Sequence, residues 1–295
     1  MLMRARTAAV VVTSLLLLSF GLLYRDVLVK LVHDWLHDDN YSHGILIVPI
    51  ALYFAWERRE RLLAAPARPS MLGLLVIIGS VLLLMAGTLG AELFLSRVSI
   101  LGIVVGSVLF ILGWAHLRIL FLPIAFLVLM IPIPAIIFNQ IAFPLQLLAS
   151  RFGEATLRAL SIPVLREGNV ITLASTQLEV AEACSGIRSL ISLLTLGIVY
   201  GYFVSPSVAV RTVLALATIP VAILANGMRV AGTGIAANYY GPAAAEGFFH
   251  TFSGWLVFVV SFAMLFLIHR LIVRWAPSAA VPPGVSPPLK VKGAA

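Results

Sequence analysis

The sequence predicts an all-α membrane protein that crosses the bilayer several times. Of its 295 residues, 61% are hydrophobic and only 11% are charged, and the mean hydropathy is +1.07. Because soluble domains carry about 25% charged residues, this chain has too few charges to cover a water-facing surface. Long apolar stretches also recur along most of its length, which is typical of a polytopic membrane protein.

Eight apolar segments are the predicted membrane spans, because a helix needs about 20 apolar residues to cross the bilayer core. They cover approximately residues 8–24, 43–56, 71–90, 93–113, 117–137, 186–204, 209–228 and 252–273. The second span is short, and whether it crosses fully stays open. The first follows Arg4 and Arg6 as a signal peptide would, but no small-residue cleavage site precedes Tyr24, which favours an uncleaved anchor.

The basic residues predict the orientation of these spans, because cytoplasmic loops are enriched in Lys and Arg. With the N-terminus inside, the inner segments hold 12 of the 20 basic residues, and ten of the 12 acidic residues lie outside. The net charge of +8 therefore indicates topology and contact with anionic lipids, with no nucleic acid implied. Residues 1–275 are predicted to form one membrane domain, followed by a disordered, Pro-rich cytoplasmic tail over residues 276–295.

Residues 138–185, between the fifth and sixth predicted spans, form the one sizeable segment outside the membrane. The first half interleaves apolar and charged residues, which predicts an amphipathic helix lying in the interface. In the second half, residues 170–173 and 178–181 alternate between two faces around a turn of small residues, which predicts a β-hairpin. Its second strand leads directly to Cys184, the only cysteine in the sequence.

Cys184 lies at the outer, N-terminal end of the sixth predicted span. The unpaired backbone N–H groups and the dipole at such a helix end favour the thiolate, which is the nucleophilic form of cysteine. Arg188, one turn further along, adds positive charge that would act in the same direction. The alternative is a small buried cysteine that only fills space in the core.

Two further residues are predicted at the same membrane face. Arg229 ends the seventh predicted span in "LANGMRVAGTG", and His250 begins the eighth in "FFHTFSGW". Either residue alone is explained by an interfacial position, but consecutive spans with short connections are usually neighbours. Acyl transfer needs a nucleophile, an acid–base group and an oxyanion donor, which are the roles predicted for Cys184, His250 and Arg229. The candidates for orienting the imidazole are Glu179, Glu182 and Asn226.

No metal site and no cofactor is expected from the sequence. A single cysteine excludes an intrachain disulfide and a thiolate metal cluster. His33 and His37 are four residues apart, but a solvated acidic loop is the favoured explanation for their neighbourhood. The acidic residues of that loop are Asp34, Asp38 and Asp39.

The motifs "EACSGIRSL", "NGMRV" and "FHTFSGW", in this order on the last three spans, resemble the exosortase/archaeosortase family. "YSHGILIVPIALYFAWERRERL" and "REGNVITL" extend the resemblance over approximately residues 30–275. The resemblance implies a cysteine protease or transpeptidase of the bacterial inner membrane, with Cys184, Arg229 and His250 as its catalytic triad on the periplasmic side. It also implies that the substrates are secreted proteins whose C-terminal signal combines a Pro-Glu-Pro motif, a transmembrane helix and a basic tail.

The resemblance further implies a link to exopolysaccharide biosynthesis. Some family members carry a fused C-terminal exopolysaccharide-associated domain, which this sequence lacks, so a separate partner protein is expected if that domain is essential. A transporter or flippase for lipid or polysaccharide is the main alternative, and a scaffold for a glycan-synthesis complex is another. The polar pathway of a transporter would use Glu92, Arg97, Arg229 and Glu246. The "IPIP" of the fifth span predicts a kink in either case.

Overall fold

The computed structural model describes residues 2–174, 176–180, 187–241 and 248–275. The described residues are mostly helical, and the chain separates into two compact units, Met1–Pro134 and Ala135–Ala295. The Pro-rich residues 276–295, predicted to be a disordered tail, lie outside the described part of the chain.

The first unit consists of helices joined by short turns. They are α1 (Leu2–Leu23), α2 (Arg25–His37), α3 (Gly44–Glu57), α4 (Arg59–Ala64), α5 (Met71–Leu89), α6 (Leu93–Ile111) and α7 (Trp114–Phe126), with a 3₁₀ turn over Leu127–Met130. Helices α5 and α6 pack closely because small residues face each other, as where Gly102 meets Ser80 and Gly87 meets Ser96. Small residues are typical of helix contacts in membranes, where they let backbones approach.

The predicted kink in the fifth span is confirmed, because α7 ends at Phe126 and the chain leaves helical geometry at Ile131. Proline has no backbone N–H and disfavours a helical residue before it, so the "IPIP" run cannot continue the helix. The backbone carbonyls freed by this break need new partners in a membrane protein. Trp35 donates to the carbonyl of Met130 at 2.9 Å, and Tyr41 donates to that of Ile133 at 3.3 Å.

The second unit combines helices with a small antiparallel sheet. In chain order, its elements are α8 (Ala135–Ala159), β1 (Val164–Glu167), β2 (Val170–Leu173), β3 (Gln177–Glu179), α9 (Ile187–Val204), α10 (Val208–Tyr240) and α11 (Phe248–Trp275). The described strands pair in the order β1-β2-β3. A core of side chains from α8, α10 and the sheet joins these elements, and it includes Leu157, Ile171, Val180 and Val230.

The predicted hairpin is confirmed as the pairing of β2 with β3, but the prediction missed β1. Strand β1 joins β2 through Gly168 and Asn169, and Glu167 pairs with Val170 across this two-residue loop. Gly168 has φ +64°, which glycine adopts without steric cost. A Gly-Asn pair between β-prone residues is a recognised hairpin signal, so this strand was detectable from the sequence.

The multi-pass architecture is confirmed, but eight full spans are not. All eight predicted segments lie largely in helices, yet only four described helices are long and apolar enough to cross a membrane. They are Met71–Leu89, Leu93–Ile111, Val208–Tyr240 and Gly254–Trp275, and the number rises to five if α7 with its 3₁₀ turn and α8 count as one broken span. The described apolar parts of α1, α3 and α9 are shorter. At about 1.5 Å per residue, these parts of 10, 14 and 17 residues cover only about 15–26 Å of a core about 30 Å thick.

The helix predicted before the sixth span is confirmed as α8 (Ala135–Ala159). Its buried residues, which include Ala142, Ala149 and Leu157, recur at helical spacing along one face, as the amphipathic pattern requires. Its placement in the membrane interface stays a prediction.

Candidate active site

Arg229 lies inside α10 rather than at its end, which corrects the prediction that the helix stops there. The helix continues for 11 more residues, to Tyr240. Two glycines of this stretch are packing positions, since Gly227 lies against Phe152 and Gly234 against Leu157, both on α8. Measured along the helix, Arg229 is 21 residues from Val208, or about 32 Å at 1.5 Å per residue. This is about one hydrocarbon core, so a position at the membrane surface stays consistent with the longer helix.

The guanidinium of Arg229 points to the beginning of α11. Its Nη2 atom lies 3.9 Å from the position that a Cβ would occupy on Gly254. Apart from the adjoining residues and backbone of α11 itself, no other described atom lies within 4 Å of that position. A Cβ at position 254 would be in ordinary van der Waals contact with the guanidinium, so the Arg229 side chain packs against α11 at this crossing of α10 and α11. The side chain of Arg229 is half-buried.

His250 lies four residues before Gly254 in the same helix. Residues four apart share one face of a helix, so position 250 is one turn along the face that carries Gly254. The structure describes the backbone of α11 at His250, and the side chain lies outside what it describes. The prediction that α11 begins close to His250 is confirmed, since the helix starts at Phe248.

Cys184 and Glu182 lie in residues 181–186, which are outside the described part of the chain. The described residue that precedes this segment is Val180, which is 2% exposed. Its backbone N–H donates to the carbonyl of Asn169 at 2.9 Å, and the Asn169 side chain donates back to its carbonyl at 3.3 Å. Val180 belongs to the same core as Val230, the residue after Arg229. The strand that leads to the cysteine and the helix turn that carries the arginine are thus joined by one core.

The other supporting candidates occupy different environments. Asn226 is 2% exposed and lies three residues before Arg229 on α10. Glu179 is exposed at the end of β3, where it pairs with Val170. Arg188 is half-buried in the first turn of α9, the predicted sixth span.

A cavity of about 250 Å³ lies between α10 and α11 and includes Arg229 in its wall. The lining residues are Ala225, Met228, Arg229, Gly232, Thr233, Leu256, Val257 and Val260. Apart from Arg229 and Thr233, the lining residues are apolar or glycine. This cavity was not predicted from the sequence, although the spacing of its α10 residues places these residues on a single helix face.

An ion triad fixes the sheet to α8. Glu154 on α8 accepts from Arg166 Nε of β1 at 2.6 Å and from Arg158 Nη2 at 2.9 Å. Arg166 also donates to the carbonyl of Gly168 at 2.7 Å, and Ser150 of α8 donates to the same carbonyl at 3.1 Å. These bonds hold the β1–β2 turn on the helix, and the sheet in turn delivers Val180 to the core.

Two of the four charged residues proposed for a transporter pathway, Arg97 and Glu92, have structural partners in the first unit. Arg97 is 3% exposed, and its Nη2 lies 2.5 Å from Asp34 Oδ2. Glu92 caps α6 by accepting from the backbone N–H of Leu95 at 3.1 Å. Glu246 lies outside the described residues. The structure thus accounts for Arg97 and Glu92 without a transported molecule.

The predicted acidic loop around His33 and His37 is wrong in part, because both histidines and Asp34 lie in helix α2. The two imidazole rings stack at 4.2 Å, and Asp34 binds Lys30 at 3.1 Å as well as Arg97. Burial opposes ionisation of Asp34, but the hydrogen bonds from Arg97 and Lys30 outweigh it and lower the pKa of this carboxyl. Asp38 and Asp39 do follow the helix in a turn. No group of three or more potential metal ligands occurs among the described residues.

The fold and this site define a multi-pass membrane protein with a cationic residue at the crossing of two long helices. A family model described as transmembrane exosortase matches residues 35–267, which cover most of the chain and include positions 184, 229 and 250. The chain therefore belongs to the transmembrane exosortase family, as the sequence motifs predict. No curated protein and no solved structure gives a significant match to the chain.

Proposed function

We propose that this exosortase-family protein is a membrane-embedded cysteine endopeptidase or transpeptidase, in which Cys184, Arg229 and His250 form the catalytic triad. The observation that carries the proposal is the position of the Arg229 guanidinium, 3.9 Å from the Cβ position of Gly254 and thus one helical turn from His250. The core shared by Val180 and Val230 supports the approach of Cys184 to the same place.

The first half of the reaction forms a thioester. Cys184 gives its proton to the imidazole of His250, and its sulfur attacks the carbonyl carbon of the scissile peptide bond. Negative charge develops on the carbonyl oxygen, where Arg229 donates hydrogen bonds from its planar fork. The imidazolium then protonates the peptide nitrogen, the C–N bond breaks, and the C-terminal fragment leaves as an amine.

The second half of the reaction releases the product. A nucleophile attacks the thioester carbonyl, His250 takes its proton, and the C–S bond breaks to return the thiolate. Water as the nucleophile yields a carboxylic acid, which makes the protein a protease. An amine yields a new amide, which makes it a transpeptidase.

The proposed substrates are secreted proteins that carry a Pro-Glu-Pro motif, one transmembrane helix and a basic tail at the C-terminus. A substrate helix in the same bilayer holds its adjoining peptide at a fixed depth, which raises the effective concentration of the scissile bond at the enzyme. The basic tail stays on the cytoplasmic side of the inner membrane, so cleavage takes place at the periplasmic face. We further propose a link to exopolysaccharide-associated protein sorting, with a separate partner protein where one is needed.

Glu179, Glu182, Arg188 and Asn226 stay candidates for supporting roles. Asn226 is the one whose described position is closest along the chain to a triad member, three residues from Arg229 and buried. An amide or a carboxylate that accepts from the imidazole would fix its tautomer and its orientation.

Cys184→Ser tests the proposed function. The variant exchanges one side-chain atom, so we expect normal insertion and abundance, while a reporter with the tripartite C-terminal signal keeps its tail. Tail retention is measured by mass spectrometry of the reporter from cells with either form of the enzyme. Arg118→Ser, at an exposed position on α7, is the matched control and should process the reporter like the wild type. Equal processing by wild type and Cys184→Ser would remove the thiol from the mechanism.

A further inference from the structure

The cavity between α10 and α11 lies beside the proposed oxyanion donor and has a defined shape. On α10 its wall is one stripe at helical spacing, from Ala225 through Arg229 to Thr233. On α11 the wall consists of Leu256, Val257 and Val260, and its first residue lies two positions after Gly254. Because Arg229 points to Gly254, the part of the wall on α11 lies on the side of the guanidinium away from His250.

Helix packing does not explain the glycine at position 232. A Cβ on Gly227 would meet Phe152, and one on Gly234 would meet Leu157, so those two glycines allow α8 to approach α10. A Cβ on Gly232 would meet no neighbouring atom of the described chain within 4 Å. Glycine in a helix interior destabilises the helix relative to alanine. The missing side chain at position 232 does keep the cavity open.

We infer that this cavity is a specificity pocket, which receives one large apolar side chain of the peptide that is cleaved. The inference rests on the proposed function, because it places the side chain next to the carbonyl that Arg229 polarises. An apolar cavity of about 150 Å³ is sufficient to hold benzene, so about 250 Å³ accommodates a leucine or phenylalanine side chain. Gly232 and Met228 determine the size of the pocket from α10, and Val257 determines it from α11.

The dimensions favour a side chain over the acyl chain of a lipid. From Ala225 to Thr233 the α10 wall covers nine residues, and the eight steps between them rise about 12 Å along the helix. An acyl chain reaches across half of the hydrocarbon core, about 15 Å, and would extend beyond the wall. The guanidinium in the wall also matches a peptide, whose carbonyl lies only one bond from the carbon that carries the side chain.

The test compares two substrates on enzymes with altered pockets. A reporter with the tripartite signal is first cleaved by the wild type, and mass spectrometry locates the cleaved bond. The residues on either side of that bond are then changed in turn to Ala and to Phe, and kcat/KM is measured in membranes for each reporter. The enzymes are the wild type, Gly232→Leu, which fills the pocket, and Met228→Ala, which enlarges it.

Gly79→Leu is the matched control, because Gly79 is also an exposed helix glycine without a described neighbour within 4 Å of its Cβ position. We expect the wild type to prefer Phe over Ala at one of the two positions by about 10-fold or more, the range that a few methylenes contribute in an apolar pocket. Gly232→Leu should lower this preference by about 10-fold or more and keep cleaving the Ala reporter. Met228→Ala should raise it, and Gly79→Leu should equal the wild type.

The inference is overturned if Gly232→Leu and Met228→Ala both keep the wild-type preference. It is also overturned if Gly232→Leu slows both reporters equally, as displacement of a lipid would. If Gly232→Leu does not accumulate, Met228→Ala decides the question alone. A preference for Phe that is unchanged or reduced in Met228→Ala then contradicts the inference. The proposed function fails separately, and the inference with it, if Cys184→Ser cleaves the reporters.

Discussion

Arg229 is the residue on which the described part of the site depends. It sits where a helix otherwise apolar over many residues meets a glycine on the next helix, and its guanidinium lies against that glycine. Positive charge is usually depleted on the outer side of the membrane, where Arg229 is expected, so an arginine there indicates a function. In the proposed reaction, its fork geometry rather than its charge alone is what binds the oxyanion.

Arg229→Lys separates charge from geometry. The lysine keeps the positive charge but loses the planar pair of donors, so we expect kcat to fall by about 10²-fold, in the range for removal of one oxyanion donor. KM should change little, and steady-state cleavage of the tripartite reporter over a range of reporter concentrations measures both. Arg118→Lys, at an exposed position on α7, should behave like the wild type. Normal turnover by Arg229→Lys would assign Arg229 to lipid contact instead.

The contact between α2 and α6 depends on one buried ion pair. Arg97 of α6 is 3% exposed and binds Asp34 of α2, which Lys30 also contacts. Removal of one partner leaves a buried charge without compensation, which costs about 3–5 kcal/mol. The hydroxyl groups of Tyr24 and Ser99 also share a hydrogen bond at 2.9 Å, so this contact contains a buried polar interaction beside the ion pair.

Asp34→Asn should lower the free energy of unfolding in detergent by about 3–5 kcal/mol at neutral pH, measured by thermal unfolding. The pKa of Asp34 is lowered from 3.8 in the folded protein, so its contribution is present above about pH 4. That contribution is lost as the pH falls through the folded-state pKa, where wild type and variant should converge. Glu60→Gln, whose carboxyl is 87% exposed, is the control. A difference that stays constant down to pH 2 would exclude the ion pair as its source.

At the scale of elements, local patterns predict most of the structure, and tertiary contacts account for the exceptions. Alternation at residues 170–173 predicts β2, and the "IPIP" run predicts the end of the fifth span. The length of α10 is not a local property. Its glycines at 227 and 234 signal a helix end in isolation, but contact with Phe152 and Leu157 of α8 stabilises the helix across them. No periodicity within α10 reveals a partner that is about 75 residues earlier in the chain.

Only the part of the candidate site that depends on residue type and motif order was predictable, because tertiary contacts are not visible in the sequence. Residue chemistry and the order of the motifs select Arg229 and His250, and the structure places Arg229 one turn from position 250 along α11. The cavity beside Arg229 was not predictable, because it is a space between two helices and depends on their crossing. Gly232 is distinguished from Gly234 only by what each one faces.

The whole molecule is a membrane protein whose sheet is expected on the periplasmic side and whose short α4 loop is expected on the cytoplasmic side. The positive-inside rule gives this orientation, because Arg58, Arg59 and Arg61 flank or lie in α4. The open edge of strand β1 also indicates that the sheet lies outside the lipid interior, where unpaired backbone groups would find no partners. Both segments offer exposed positions for labelling, Leu165 on β1 and Leu63 on α4.

Leu165→Cys and Leu63→Cys, each in a Cys184→Ser background, test this orientation. The native sequence has one cysteine, so each variant carries a single thiol. A membrane-impermeant maleimide should label position 165 in spheroplasts and label position 63 only after the membrane is permeabilised. The reverse pattern would place the proposed active site in the cytoplasm, where it could not reach secreted substrates.

The central claim is that Cys184 carries the acyl group, and a trapped intermediate tests it most directly. Wild-type enzyme and the tripartite reporter are mixed in membranes, quenched in acid, digested and analysed by mass spectrometry. We expect the peptide that contains position 184 to gain the mass of the reporter fragment on the N-terminal side of the cleaved bond, as a thioester that hydroxylamine removes. His250→Ala should lower the yield of this adduct. Cleavage of the reporter with no adduct at residue 184, or an adduct on another residue, would contradict the account.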